Sequence, residues 1–160
     1  MTAEIITILS NAGQSTIDKI RQNMSSTGTD ASGESSRSLK YEVTETGTKA
    51  NLKITAKPFF MVVETGRKPT PQFTKPSEEF VDRIKSWLTA RGKDQGPAYA
   101  IAKSIHKSGT KLWQQGGRTD IVSNVINQNR IEELSRELLQ SFAKFYLVSV
   151  ANTFKNANSN

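Results

Sequence analysis

The stretch from Arg130 to Phe154 constrains this chain most, because its apolar residues recur at helical spacing around more of the helix than one core face covers. Ile131, Leu134, Leu138, Phe145 and Val148 make one stripe, and Leu139, Phe142, Tyr146, Val150 and Phe154 make a second, displaced from it. At 1.5 Å per residue such a helix is about 35–40 Å long. That is long for the single domain that 160 residues with 35% apolar content can build. Two accounts compete. Either the helix is central and buried on two sides, or the part of the arc carried by Leu139, Phe142, Tyr146, Val150 and Phe154 packs against a neighbouring copy. The tail from Lys155 to Asn160 is expected to be disordered.

Upstream, Ile5, Leu9, Ala12, Ile17, Ile20 and Met24 fall on one side of a helix from about Thr2 to Asn23, weakened near its centre by Gly13. From Ser25 to Ser38 the composition is Ser, Thr, Gly, Asp and Glu with no apolar anchor larger than Ala31, which predicts a mobile loop. Leu39, Tyr41 and Val43 alternate with polar residues, as do Leu52 and Ile54, so a hairpin turning within Glu45–Thr48 is expected, with one apolar face in need of a cover. The run Phe59–Val63 is the most apolar of the chain and fits a buried helical turn or a third strand equally.

A loop rich in breakers follows to Pro76. Ser77 with Glu78 and Glu79 then caps a helix whose apolar face is Phe80, Val81, Ile84, Trp87 and Leu88, stopped by Gly92. A second middle helix runs from about Pro97 to Lys107, with Ala98, Ile101, Ala102 and Ile105 on one side. The segment Thr110–Gln128, broken by Gly116-Gly117, has little periodicity and is expected to be an arm that orders only on a partner. The fold class expected is therefore α+β. It comprises one domain over residues 1–154, with an N-terminal helix, a small antiparallel hairpin, two middle helices, a long C-terminal helix, and mobile loops at 25–38 and 110–128.

Charge is unevenly placed. The formal charge of +7 lies wholly between Gly66 and Arg118, where eleven Lys and Arg face four Asp and Glu, while the flanking segments each balance to zero. Such a bias fits an anionic partner or simply a solvated set of helix backs. Cysteine is absent, so neither disulfides nor thiolate metal sites are available. The start of the chain lacks a basic region and a sustained apolar run, and no segment approaches the roughly 20 apolar residues of a membrane span, which predicts a soluble, unexported protein. His106 is the sole histidine and has Lys103 and Lys107 nearby, so a metal or a histidine-based triad lacks partners. Glu64 stands alone as a candidate base, and a capping or turn role fits it better. Gly109-Thr110-Lys111 is like the end of a phosphate loop only superficially. No catalytic, cofactor-binding or metal site is expected, and the chain reads as no enzyme.

The segment from Phe60 to Trp113 resembles the minor tail component family of tailed bacteriophages, often called tail-completion or neck proteins. The likeness is carried by Val62-Val63-Glu64-Thr65-Gly66, a proline-rich loop from Arg67 to Pro76, Ile84-Lys85-Ser86-Trp87 through Arg91-Gly92, and Ala98–Ile105 followed by Gly109-Thr110. The order of elements agrees with it. The resemblance implies a structural virion subunit that forms a homo-oligomeric ring at the head-tail joint. It would be assembled in the host cytoplasm, would bridge portal-side and tail-side proteins, and would let DNA pass through the lumen. In that setting Glu64, Gly66, Pro69 and Pro71 would shape the turn and loop, and Arg67, Lys68, Lys75, Lys107, Lys111 and Arg118 would contact the channel DNA or protein partners.

The alternative is non-specific nucleic-acid binding by the basic segment 66–118. Its aromatics, Phe73, Trp87, Tyr99 and Trp113, are scattered and not interleaved with bases' stacking positions on one sheet.

Overall fold

The computed structural model describes residues 3–70 and 75–157, the last two as backbone only. The elements are α1 (Ala3–Ser26), α2 (Glu34–Ser38), β1 (Lys40–Thr46), β2 (Lys49–Thr55), α3 (Val62–Thr65), α4 (Glu78–Ala90), α5 (Ala98–Ser108), α6 (Lys111–Gln114) and α7 (Gln128–Ala157). Strands β1 and β2 form a two-stranded sheet joined by a tight turn at Gly47, which makes them antiparallel. The class is α+β. The described residues group into two compact units: residues up to Asp18 with Tyr41–Ile54 and those from Ile126 to 157, and Lys19–Lys40 with those between Thr55 and Val125. Pro71, Phe73 and the end of the tail beyond residue 157 lie outside the described residues.

In the first unit, Ile5, Leu9, Ala12 and Ile17 are buried at the helical spacing expected of α1. Gly13 is more than a weak helix residue. A Cβ there would fall 2.7 Å from Tyr41 Cδ2 and 2.8 Å from Leu52 Cδ1, so its missing side chain is what lets α1 lie directly on the hairpin and cover its apolar face. Helix α7 belongs to this unit and, at 1.5 Å per residue, is about 45 Å long. It extends beyond both ends expected of it, and Lys155 continues it where disorder was expected.

In the second unit, Ile20 and Met24 of the last turns of α1 are fully buried. The segment 25–38, expected to be a mobile loop, is tied down instead. Arg21 donates from Nε to the Ser36 carbonyl (3.1 Å) and from Nη2 to the Leu39 carbonyl (3.2 Å), and α2 forms within the segment. Backbone and side-chain hydrogen bonds thus substitute for the apolar anchors that the composition lacks. Helix α4 begins as its sequence requires, with the Ser77 hydroxyl accepting from the Phe80 amide, and packs on α5 through the buried Leu88, Ala98 and Ala102. Trp87, expected on the apolar face of α4, is exposed, and the Arg91 guanidinium lies 4.8 Å from its ring centroid. The Phe59–Val63 run is a turn that leads into α3, not a strand, and Phe59, Met61 and Val62 are exposed where burial was expected.

Candidate interaction surfaces

Glu64 anchors the second unit. Its side chain is 3% exposed, and Oε1 accepts three backbone amides, from Ile121 (3.0 Å), Val122 (2.5 Å) and Ser123 (3.0 Å), while Oε2 accepts the Ser123 hydroxyl (2.7 Å). Burial alone raises the carboxyl, but the Ser123 hydroxyl and the three amides outweigh it and hold the group below the ordinary glutamate range. Ionised and acceptor-only, it cannot donate, and the four hydrogen bonds it accepts from Ile121, Val122 and Ser123 all come from its own chain. Glu64, for which a capping or local turn role was expected, is a long-range anchor across 57 residues of sequence.

That anchor changes the reading of residues 110–128. The segment expected to be an arm awaiting a partner carries Ile121, fully buried, and Val125, 8% exposed, into the core. Asn23 Nδ2 donates to the Ile121 carbonyl (3.1 Å), and the Arg118 amide donates to the Glu64 carbonyl (2.9 Å). Thr110 caps α6 by accepting from the Trp113 amide and also accepts from the Arg67 amide (3.0 Å). The segment lacks periodicity because irregular turns, not a helix face, bring its apolar residues inward.

Gly66 joins the two parts. Its backbone, at φ 68° and ψ 170°, occupies a region open essentially to glycine alone, and a Cβ would stand 2.4 Å from the Trp113 amide nitrogen. Beyond it the Arg67 carbonyl accepts from the Thr110 amide (2.9 Å) and the Thr70 amide donates to the His106 carbonyl (2.9 Å), so residues 67–70 run alongside 106–110 with Pro69 half-buried between. This pairing sets Lys68, Lys107 and Lys111 on adjoining stretches of backbone, all exposed. Lys75 is exposed as well. Arg67 and Arg118 are engaged within the chain. The Arg67 guanidinium sits 3.6 Å from the Phe80 ring centroid, and Arg118 grips Asp120 in a two-pronged pair at 2.6 and 2.7 Å.

The first unit presents the opposite kind of surface. Leu139, Phe142, Tyr146, Val150 and Phe154, expected to meet a neighbouring copy, are all exposed, and so are Phe145, Leu147 and Val148. Four consecutive residues, Phe145 to Val148, are each more than half exposed. At 3.6 residues per turn they point in every direction around the axis, and among the described residues nothing covers as much as half of any of them. The account of α7 as a core helix buried on two sides holds only as far as the half-buried Leu134 and Leu138 and the buried Ser141.

Sequence reasoning missed Ser123 and the packing role of Gly13, whereas Ile121 and Val125, with Val122 and Ile126, stand out in the sequence as apolar residues able to dock, and Ile121 and Val125 are buried. Glu64 and Gly66 carry a local signal, an apolar run ending in Glu-x-Gly, but nothing near Ser123 marks it as their partner. Among the described residues, no helix is long and apolar enough to cross a membrane, and no three His, Cys, Asp or Glu side chains gather where they could hold a metal. Comparison with family models, with curated proteins and with solved structures finds no match to this chain.

Proposed function

We propose that this chain is a structural subunit that assembles with copies of itself, as a ring at the head-tail joint of a tailed bacteriophage, bridging portal-side and tail-side proteins around the DNA channel. No catalytic step is part of this reading. The observation that carries it is the run Phe145–Val148 of α7, four consecutive apolar residues each more than half exposed, with Leu139, Phe142, Val150 and Phe154 exposed on either side of it. An apolar helix of this kind in water requires a cover. Fully burying one such side chain contributes about 1.5–3 kcal/mol, so covering even half of those exposed is on the scale of the roughly 4–15 kcal/mol that association costs. The likeness of Phe60–Trp113 to tail-completion proteins supplies the setting, and a lumen lined by lysines would lower the cost of holding DNA through weak, sequence-independent phosphate contacts.

A second reading, non-specific nucleic-acid binding by a free monomer, is favoured by the adjoining exposed Lys68, Lys107 and Lys111. The two are separated by light scattering of the purified chain together with electron microscopy of tailed particles averaged around the tail axis. Self-association and a ring of copies at the neck support the first. A monomer absent from particles that binds duplex DNA with steep salt dependence overturns it and makes the basic segment the functional surface.

A further inference from the structure

Helix α7 carries two unsatisfied apolar features that its own geometry keeps apart. One is the exposed half just described. The other is a mainly apolar cleft of about 350 Å³ in the same unit, walled by Ala12 and Thr16 of α1, Leu52 and Ile54 of β2, and Ile131 and Leu134 of the first turns of α7, with Arg130 at its edge as the one charged lining residue. Ile131 is itself about half exposed.

The cleft is thus lined in part by the start of the same helix whose far end lacks a cover. Residues 128–157 include neither glycine nor proline, and α7 is one continuous helix over that range. Tyr146 lies about 18 Å along the axis from Leu134, and Phe154 about 30 Å. A straight helix cannot return its end to a groove built on its own beginning. The two surfaces therefore meet only between different molecules.

Resting on the assembly reading above, we infer that copies join head to tail, the C-terminal half of α7 from one copy seating its apolar side chains in the α1–β2–α7 cleft of the next. The occupant is a second copy of this chain because the chain itself presents an apolar rod and an apolar groove in equal need of each other. Two different patches in contact make the interface heterologous, and a heterologous interface closes into a ring when its rotation divides the circle and otherwise grows as a filament. A tail-to-tail bundle of α7 helices, by contrast, would leave the cleft open and give an isologous pair or a closed bundle.

Complementation between damaged copies tests this. Tyr146→Asp together with Val150→Asp spoils the rod and leaves the cleft, whereas Ile131→Asp spoils the cleft and leaves the rod. All three positions are at least half exposed, so the fold tolerates the changes, and unchanged circular dichroism of each variant checks this. The native chain should be oligomeric by light scattering and each variant monomeric. An equimolar mixture should form a species of two chains and no larger, because only one rod and one cleft remain intact. If the Ile131→Asp chain keeps the native oligomeric mass, or the mixture stays monomeric, the head-to-tail contact is wrong while self-assembly stands. If the native chain is monomeric at its highest soluble concentration, both fail.

Discussion

The Glu64 anchor and the end of α7 solve opposite halves of one problem. Around Glu64 every polar demand is met inside the chain: a buried carboxylate, three amides and a hydroxyl close on one another. Along residues 142–154 the large apolar side chains stay 42–72% exposed. Net hydrogen-bond gains are modest, but an orphaned buried partner is costly, so a closed polar knot is rigid and intolerant of change. An uncovered apolar helix costs its own monomer little to alter, because its stabilisation is realised only on association. The first region should therefore report on folding and the second on assembly.

The sharpest break of that contrast is Gly66→Ala. It forces alanine into a glycine-only conformation and its Cβ into the Trp113 backbone, and should cost about 3–5 kcal/mol in urea unfolding. Gly92→Ala, also at positive φ but with nothing within 4 Å, should cost only about 1 kcal/mol. Equal losses at the two sites would mean that the close approach at Gly66 is not a constraint. Next in size is Ile121→Ala, at about 2–4 kcal/mol for an emptied core position. Deleting 111–128 should likewise destabilise the isolated chain severely, the reverse of what an arm awaiting a partner would do.

Glu64→Gln is smaller, about 1–2 kcal/mol at neutral pH, since the amide keeps an acceptor for the three backbone donors but loses the charge that strengthens them. The sign of its pH dependence follows from a carboxyl held below the ordinary value of about 4.5. Between the folded and unfolded values the unfolded state binds more protons, so the stabilisation is fully present above about pH 4.5 and is lost as pH falls through the folded value. The difference between the native chain and Glu64→Gln should shrink over that acid window. A difference that stays constant from neutral to acid pH would show that the charge on Glu64 contributes nothing to the anchor.

The same contrast explains what could be read from the sequence. Helices α4 and α5 were legible because Ser77, Pro97 and the apolar spacing act locally, and the hairpin because alternation and Gly47 do the same. The partners of Glu64 were not, because Ile121, Val122 and Ser123 offer backbone amides, which any sequence has. Residues 110–128 looked like an arm since Ile121 and Val125 are buried from irregular turns, where no period betrays them. For α7 the period gave the width of the apolar arc correctly, but width tells how much cover a helix needs and not which molecule provides it.

The smallest expected effect on folding is therefore the most telling. Tyr146→Ser and Phe154→Ser remove side chains that are each about two-thirds exposed, and serine and the aromatics have similar helix propensities. At dilutions where the chain is monomeric each should change unfolding stability by no more than about 0.5 kcal/mol. Ile17→Ala, in the buried face of α1, should cost about 2–5 kcal/mol in the same assay. At concentrations where the native chain associates the order should reverse: the serine variants lose the concentration-dependent part of the melting temperature, while Ile17→Ala lowers the melting temperature and keeps its concentration dependence. A loss above about 2 kcal/mol for either serine variant in the dilute chain would mean that the helix end folds onto its own molecule, and the division between a closed knot and an open rod would then collapse.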